Sequence, residues 1–199
     1  MHRIILATRN SGKVKEIEAI LHGLDVELLS LQDFPNVPEL IEDGTTLEEN
    51  ALMKARQVFE ATKIPALADD SGLEVFALTM QPGVYSARYA GEHVSYEDNN
   101  QKLLRELQTI PASERGARFR CVAAFVNSTT QKTTEGICSG TIIQELRGAG
   151  GFGYDPLFVP DGYTQTFAEL PTEIKNSMSH RAQAFASMKE FLRKYFISS

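Results

Sequence analysis

The sequence predicts an α/β protein with a mixed β-sheet, and three observations carry that expectation. A compact apolar run at residues 3–7 (RIILA) is stopped by the polar loop TRNSGK and followed by apolar residues at helical spacing. A second strand-like segment at 25–30 and a long amphipathic pattern after Thr46 continue the strand and helix alternation. Further on, residues 118–127, 132–138 and 141–146 are rich in Val, Ile, Thr and Phe and separated by polar residues, as in an antiparallel meander.

Each element has a local reason. Val14, Ile17, Ile20 and Leu21 recur near the helical period after the first loop. Thr46 and Glu49 have capping-box spacing, and Leu47, Ala51, Ala55, Val58 and Thr62 fall on one stripe behind them. Residues 66–68 are expected to form a brief strand ending at Asp69-Asp70-Ser71-Gly72, with the glycine supplying a turn and the carboxylates at the strand's C-terminal edge. Ser95 and Asp98 open another helix to about Thr109, and a last helix from about Ser179 to Tyr195 buries Ala182, Phe185, Met188 and Leu192.

The 199 residues show no repeat or linker, so a single domain over 1–199 is expected. With 42% hydrophobic residues the chain has enough apolar surface to offset its ordering entropy. A formal charge of −6 opposes binding to nucleic acid or an anionic membrane and favours a small ligand. No apolar run approaches the ~18–20 residues of a membrane helix. Cys121 and Cys138 lie in strand-like surroundings, as buried thiols of a reducing compartment do, so a cytoplasmic protein is expected.

Four segments can carry chemistry. TRNSGK lies between a buried strand and a helix N-terminus, where amide N–H groups, the helix dipole and Lys13 attract phosphate. It is not a Walker A loop, because Val14 stands where a hydroxyl would hold magnesium, and spacing alone fits a surface turn equally well. ADDSG offers carboxylates on alternate faces of an extended chain. With Glu42, one of them could supply two hard oxygen ligands to a magnesium ion on substrate phosphates, although solvated turn acids fit the pattern too. Residues 148–153 satisfy G-x-G-x-x-G, but no helix pattern follows, which excludes a dinucleotide fingerprint and leaves either a flexible turn or a loop whose Phe152 or Tyr154 stacks on a flat ring. Lys175, His180 and Arg181 flank the last helix start and could meet phosphate and a heterocycle, or solvent alone. No serine-hydrolase elbow, H-E-x-x-H or thiol-metal spacing occurs.

Taken together and in this order, TRNSGK, TLEENALMKA, ADDSGLEV, PGVYSARYAG, GGFGYDPLF and SHRAQAF resemble the Ham1/RdgB family of inosine/xanthosine triphosphate pyrophosphatases over nearly the whole chain. The resemblance implies an elongated two-lobed α/β fold with a long curved mixed β-sheet flanked by helices, an active-site cleft between the lobes, and a homodimer. It implies Mg²⁺-dependent hydrolysis of ITP, dITP and XTP to monophosphate and pyrophosphate. By motif, Thr8, Arg9, Asn10, Ser11, Gly12 and Lys13 would embrace the triphosphate, with Lys54 and Lys175 adding charge. Asp70 would be the catalytic carboxylate and a metal ligand, Glu42 a second metal ligand, and Ser71 a substrate contact. Phe152, Gly153, Tyr154 and Asp155 with His180 and Arg181 would form the base pocket. Arg9 stands where the family commonly has Gly or Asn, and it either contacts phosphate or points to solvent; Ile174 replaces a usually charged residue before Lys175. A Maf-like pyrophosphatase acting on other modified nucleotides and a non-hydrolysing nucleotide-binding module are the alternatives.

Overall fold

A computed structural model describes residues 2–197; Met1, Ser198 and Ser199, the ends of the expected single domain, lie outside the described residues. Six strands form one mixed sheet in the order β2-β1-β3-β4-β5-β6. They are β1 (His2–Leu6), β2 (Val26–Ser30), β3 (Ala66–Val75), β4 (Gly116–Val126), β5 (Gln131–Ile142) and β6 (Phe158–Pro160). The helices are α1 (Ser11–Leu21), α2 (Leu47–Thr62), α3 (Tyr96–Glu106), α4 (Thr172–Met178) and α5 (His180–Ile197). None is long and apolar enough to cross a membrane.

Strand β1 runs parallel to β2 and β3, with Leu6 opposite Ser30 and Leu67, whereas β5 and β6 are antiparallel. A strand flanked by parallel neighbours has both faces covered, which is why Ile4, Ile5 and Leu6 form an unbroken buried apolar run. The described residues divide into two compact units, residues 2–70, 121–136 and 180–197 in one, and residues 71–120 and 137–179 in the other.

The first unit's core packs Ile4, Leu6, Leu67, Cys121, Ala123 and Phe125 of the strands with Ile17 and Leu21 of α1 and Phe185, Met188 and Leu192 of α5. Helix α2 opens on the capping box that the spacing predicts, with the Glu49 amide donating to Thr46 Oγ1 at 3.1 Å. The second unit has its own core, in which Leu73, Val75, Leu103 and Leu107 join Phe119, Phe158 and Phe167, and the Phe119 and Phe158 rings meet edge-on at 4.7 Å. Its helix α3 starts at the expected Ser95–Asp98 box.

Two expectations are corrected. Strand β3 does not stop at Ala68; it runs through Asp69 and Asp70 to Val75. Gly72 makes no turn there: its missing Cβ leaves room for the Gly83 carbonyl, which lies where a side chain would stand. The aspartates nevertheless lie just past the last β1 partner, Leu67, at the carboxyl end of the parallel ladder. Likewise the segments 132–138 and 141–146 are one strand, β5, ending at Ile142, because Ser139-Gly140 stays extended while β6 crosses close against Gly140. Lys175 belongs to a separate short helix, α4, which was not legible from spacing.

Candidate active site

The first unit gathers charge on both faces of β3. Asn10 caps α1, its Oδ1 accepting from the Gly12 and Lys13 amides at 2.9 and 3.2 Å, so two of the N–H groups expected to serve an anion are already engaged. Thr8 Oγ1 accepts from the Asn10 amide, which closes the loop. Arg9 donates through Nη2 to the Val37 carbonyl at 3.0 Å and so ties the loop to the proline-containing segment before α2.

On the face toward α2, Asp70 is held by two helical side chains one turn apart. Lys54 Nζ lies 2.8 Å from Oδ1, and Asn50 Nδ2 donates to Oδ2 at 3.2 Å. Glu42 reaches the same ammonium, with Oε2 at 3.3 Å. Burial alone would lower the Lys54 pKa, but the Asp70, Glu42 and Asp69 carboxylates outweigh it and hold the ammonium above the usual lysine value. Glu42 and Asp70 thus converge on one positive charge, and the three groups carry one net negative charge among them.

On the opposite face Asp69 is fully buried. Its Oδ2 lies 3.0 Å from Lys13 Nζ and accepts from Arg181 Nε and Nη2 at 3.2 and 3.1 Å, while Arg181 Nη1 donates to Glu16 at 2.6 Å. Burial would raise the Asp69 carboxyl, yet Lys13, Arg181 and Lys54 hold it well below the usual carboxylate range. His180, at the start of α5, is also buried.

The second unit builds a different group around the glycine-rich loop, where Gly151 and Gly153 adopt positive φ. Asp155 accepts the Phe152 amide at 2.8 Å and pairs with Lys175 Nζ at 2.5 Å, and that ammonium lies 4.9 Å from the Phe152 ring centre. Of the two aromatics, Tyr154 is buried and donates its hydroxyl to the Ser86 carbonyl at 2.9 Å, so Phe152, half-buried, is the ring able to stack on a ligand. Asn100 secures the loop by donating to the Gly153 carbonyl at 3.0 Å. Ser71, next after the aspartates, is half-buried.

The sequence motifs name Lys13, Lys54, Glu42, Asp70 and Arg181, leave Asp69 at most a cap or support of the turn, and do not single out Glu16, Asn50 or Asn100. A signal existed for two of them. Asn50 lies four residues before Lys54 on a buried apolar stripe, and Glu16 beside Ile17 interrupts the inward face of α1. Polar residues on such stripes must be paired inside.

Among the described residues no cluster of three or more His, Cys, Asp or Glu is placed to hold a metal ion. Two carboxylates already converging on an ammonium do fit a hard cation that takes its remaining ligands from water and phosphate, as magnesium does.

An α/β sheet carrying buried carboxylate–ammonium pairs at the carboxyl end of its parallel strands defines a class of protein suited to a charged small ligand. The chain belongs to the Ham1 family, whose model matches residues 4–191. It is 54% identical over 193 residues to a dITP/XTP pyrophosphatase of Geobacter sulfurreducens, covering 96% of this chain and 97% of that one. It is 50% identical over 196 residues to a dITP/XTP pyrophosphatase of Desulforamulus reducens, covering 98% of each. Among solved structures, a HAM1 protein from Coxiella burnetii superposes with a TM-score of 0.89 at 40% identity, covering 98% of this chain and 100% of that one.

Proposed function

We propose that this protein hydrolyses the non-canonical purine nucleoside triphosphates ITP, dITP and XTP to the monophosphate and pyrophosphate. The convergence of Glu42 and Asp70 on Lys54, in a chain so similar to proteins named dITP/XTP pyrophosphatase, is the observation that carries this reading.

In this reading Asp70 orients a water for attack on the α-phosphorus and takes its proton, while Lys54 and Asn50 fix the carboxylate. The new bond joins the water oxygen to the α-phosphorus; the bond broken joins that phosphorus to the oxygen bridging to the β-phosphate, and pyrophosphate leaves. Thr8, Arg9, Asn10, Ser11, Gly12 and Lys13 bind phosphate, Lys54 and Lys175 add positive charge, and Ser71 contacts the substrate. Glu42 and Asp70 would hold a magnesium ion. When bound, that ion supplies neutralisation of the phosphate charge. A local site of this kind lets a chain of charge −6 take a polyanion that arrives with its own cation.

For the base we assign stacking to Phe152 and recognition to Gly153, Tyr154, Asp155, His180 and Arg181. Hypoxanthine and xanthine present an acceptor oxygen at the six-position, where adenine presents an amino donor. Donors buried against that oxygen would be left mispaired by adenine, a difference of order 10⁴-fold in rate. We further assign the chain to the cytoplasm as a homodimer, which light scattering would check.

One assay tests the whole reading: ITP, XTP, dITP, ATP and a modified pyrimidine triphosphate, with and without Mg²⁺, scored for pyrophosphate against orthophosphate. The expected result is magnesium-dependent pyrophosphate from the first three. Preference for the pyrimidine would favour a Maf-like activity, and binding without hydrolysis would favour a sensor.

A further inference from the structure

Asp69 takes both Lys13 and Arg181, yet it lies on the face of β3 turned away from Asp70. It ties together three elements. Lys13 comes from the first turn of α1, Arg181 from the first turn of α5, and Asp69 from β3, and all three meet at one carboxylate oxygen. Glu16, one turn past Lys13 on α1, closes the set by accepting from Arg181 Nη1. Two positive and two negative charges make it electrically neutral, so unlike the Glu42–Asp70–Lys54 group it has no excess charge to attract a cation.

Exposure is graded along this chain. The side chains of Asp69, Arg181 and Glu16 are 0%, 2% and 9% accessible, and that of Lys13 is 16%. Lys13 is therefore the member of the set that reaches furthest toward solvent, with its ammonium held from behind by partners that cannot move without exposing buried charge. A free lysine loses much side-chain freedom on gripping a phosphate, and one already held in place has lost it beforehand.

We infer that Asp69 is a positioning residue, anchored by Arg181 and Glu16, which sets Lys13 in advance for the phosphates of the substrate. The inference rests on the reading of Lys13 as a phosphate contact. It makes an unusual prediction of sign. A carboxylate beside a phosphate site repels the ligand through space, so its removal should tighten binding if charge alone mattered. If positioning governs, removal should weaken binding instead.

The test is a double-mutant cycle of Asp69→Asn and Lys13→Met, read by KM and kcat for ITP and by calorimetric binding of inorganic pyrophosphate. The calorimetry needs no turnover, so it judges this inference even if ITP proves not to be the substrate. Asp69→Asn should weaken pyrophosphate binding and raise KM by about tenfold, with a smaller change in kcat, and should add nothing in the Lys13→Met background. Tighter pyrophosphate binding, or an effect of equal size in both backgrounds, would overturn it. Should Asp69→Asn fail to fold, Glu16→Gln takes its place, since glutamine still accepts from Arg181 and leaves the Lys13–Asp69 pair itself unaltered. A weakening of about threefold that disappears in Lys13→Met supports the inference, and no change or an additive change contradicts it.

Discussion

Asp69 and Asp70 are neighbours on one strand, and the alternation of the pleat sends them into opposite settings. Asp69 meets Lys13 and Arg181, with Glu16 completing a neutral buried set. Asp70 shares the single ammonium of Lys54 with Glu42, an arrangement one positive charge short. The side chain of Asp69 is wholly buried, whereas that of Asp70 keeps 9% of its surface accessible. Chemical identity and sequence position hardly distinguish the two residues; the number of counter-charges on each face does. A charge-compensated carboxylate is suited to holding other groups still, and an under-compensated one to taking a cation.

That contrast can be broken at several points. Asp70→Asn keeps the shape and one of the two accepted contacts, from Lys54 or from Asn50, but removes the proton acceptor. Turnover of ITP should fall by about 10³-fold or more with an unchanged circular dichroism spectrum, and near-normal rates would remove Asp70 from the chemistry. Lys54→Met strips the one counter-charge from two converging carboxylates. A stability loss of about 3–5 kcal/mol is expected by urea unfolding, because one of those carboxylates is buried. A native-like midpoint would mean that Glu42 and Asp70 do not depend on that ammonium. Smaller still is Gly72→Ala, which pushes a methyl group against the Gly83 carbonyl and should cost about 1–3 kcal/mol. A neutral outcome would mean that the extended run beyond the aspartates can shift without penalty.

Much of this was legible in the chain itself. The apolar run of β1, the Thr46–Glu49 and Ser95–Asp98 boxes and the stripe on α2 each follow from a local rule, and the structure keeps them. The errors share one physical cause. At Gly72 glycine suggests a turn, and at 139–140 polar spacing suggests a break, but Gly72 and Gly140 both lie inside strands where another backbone comes too close for a side chain. Close approach is a long-range property that local pattern does not encode. The hub role of Asp69 was hidden for the same reason, since Lys13 and Arg181 reach it from 56 residues before and 112 residues after in the chain. Adjacent aspartates at a loop-like site suggest one carboxylate facing a cleft and one capping or supporting the turn, and only the tertiary pairing separates the two settings.

In the proposed reaction water, oriented by Asp70, cleaves the bond between the α- and β-phosphates. Hydrolysis of ITP in isotopically labelled water tests it most directly, with mass spectrometry locating the label. Heavy oxygen is expected in the inosine monophosphate and none in the pyrophosphate at first turnover. Label in pyrophosphate, or release of labelled orthophosphate, would contradict it.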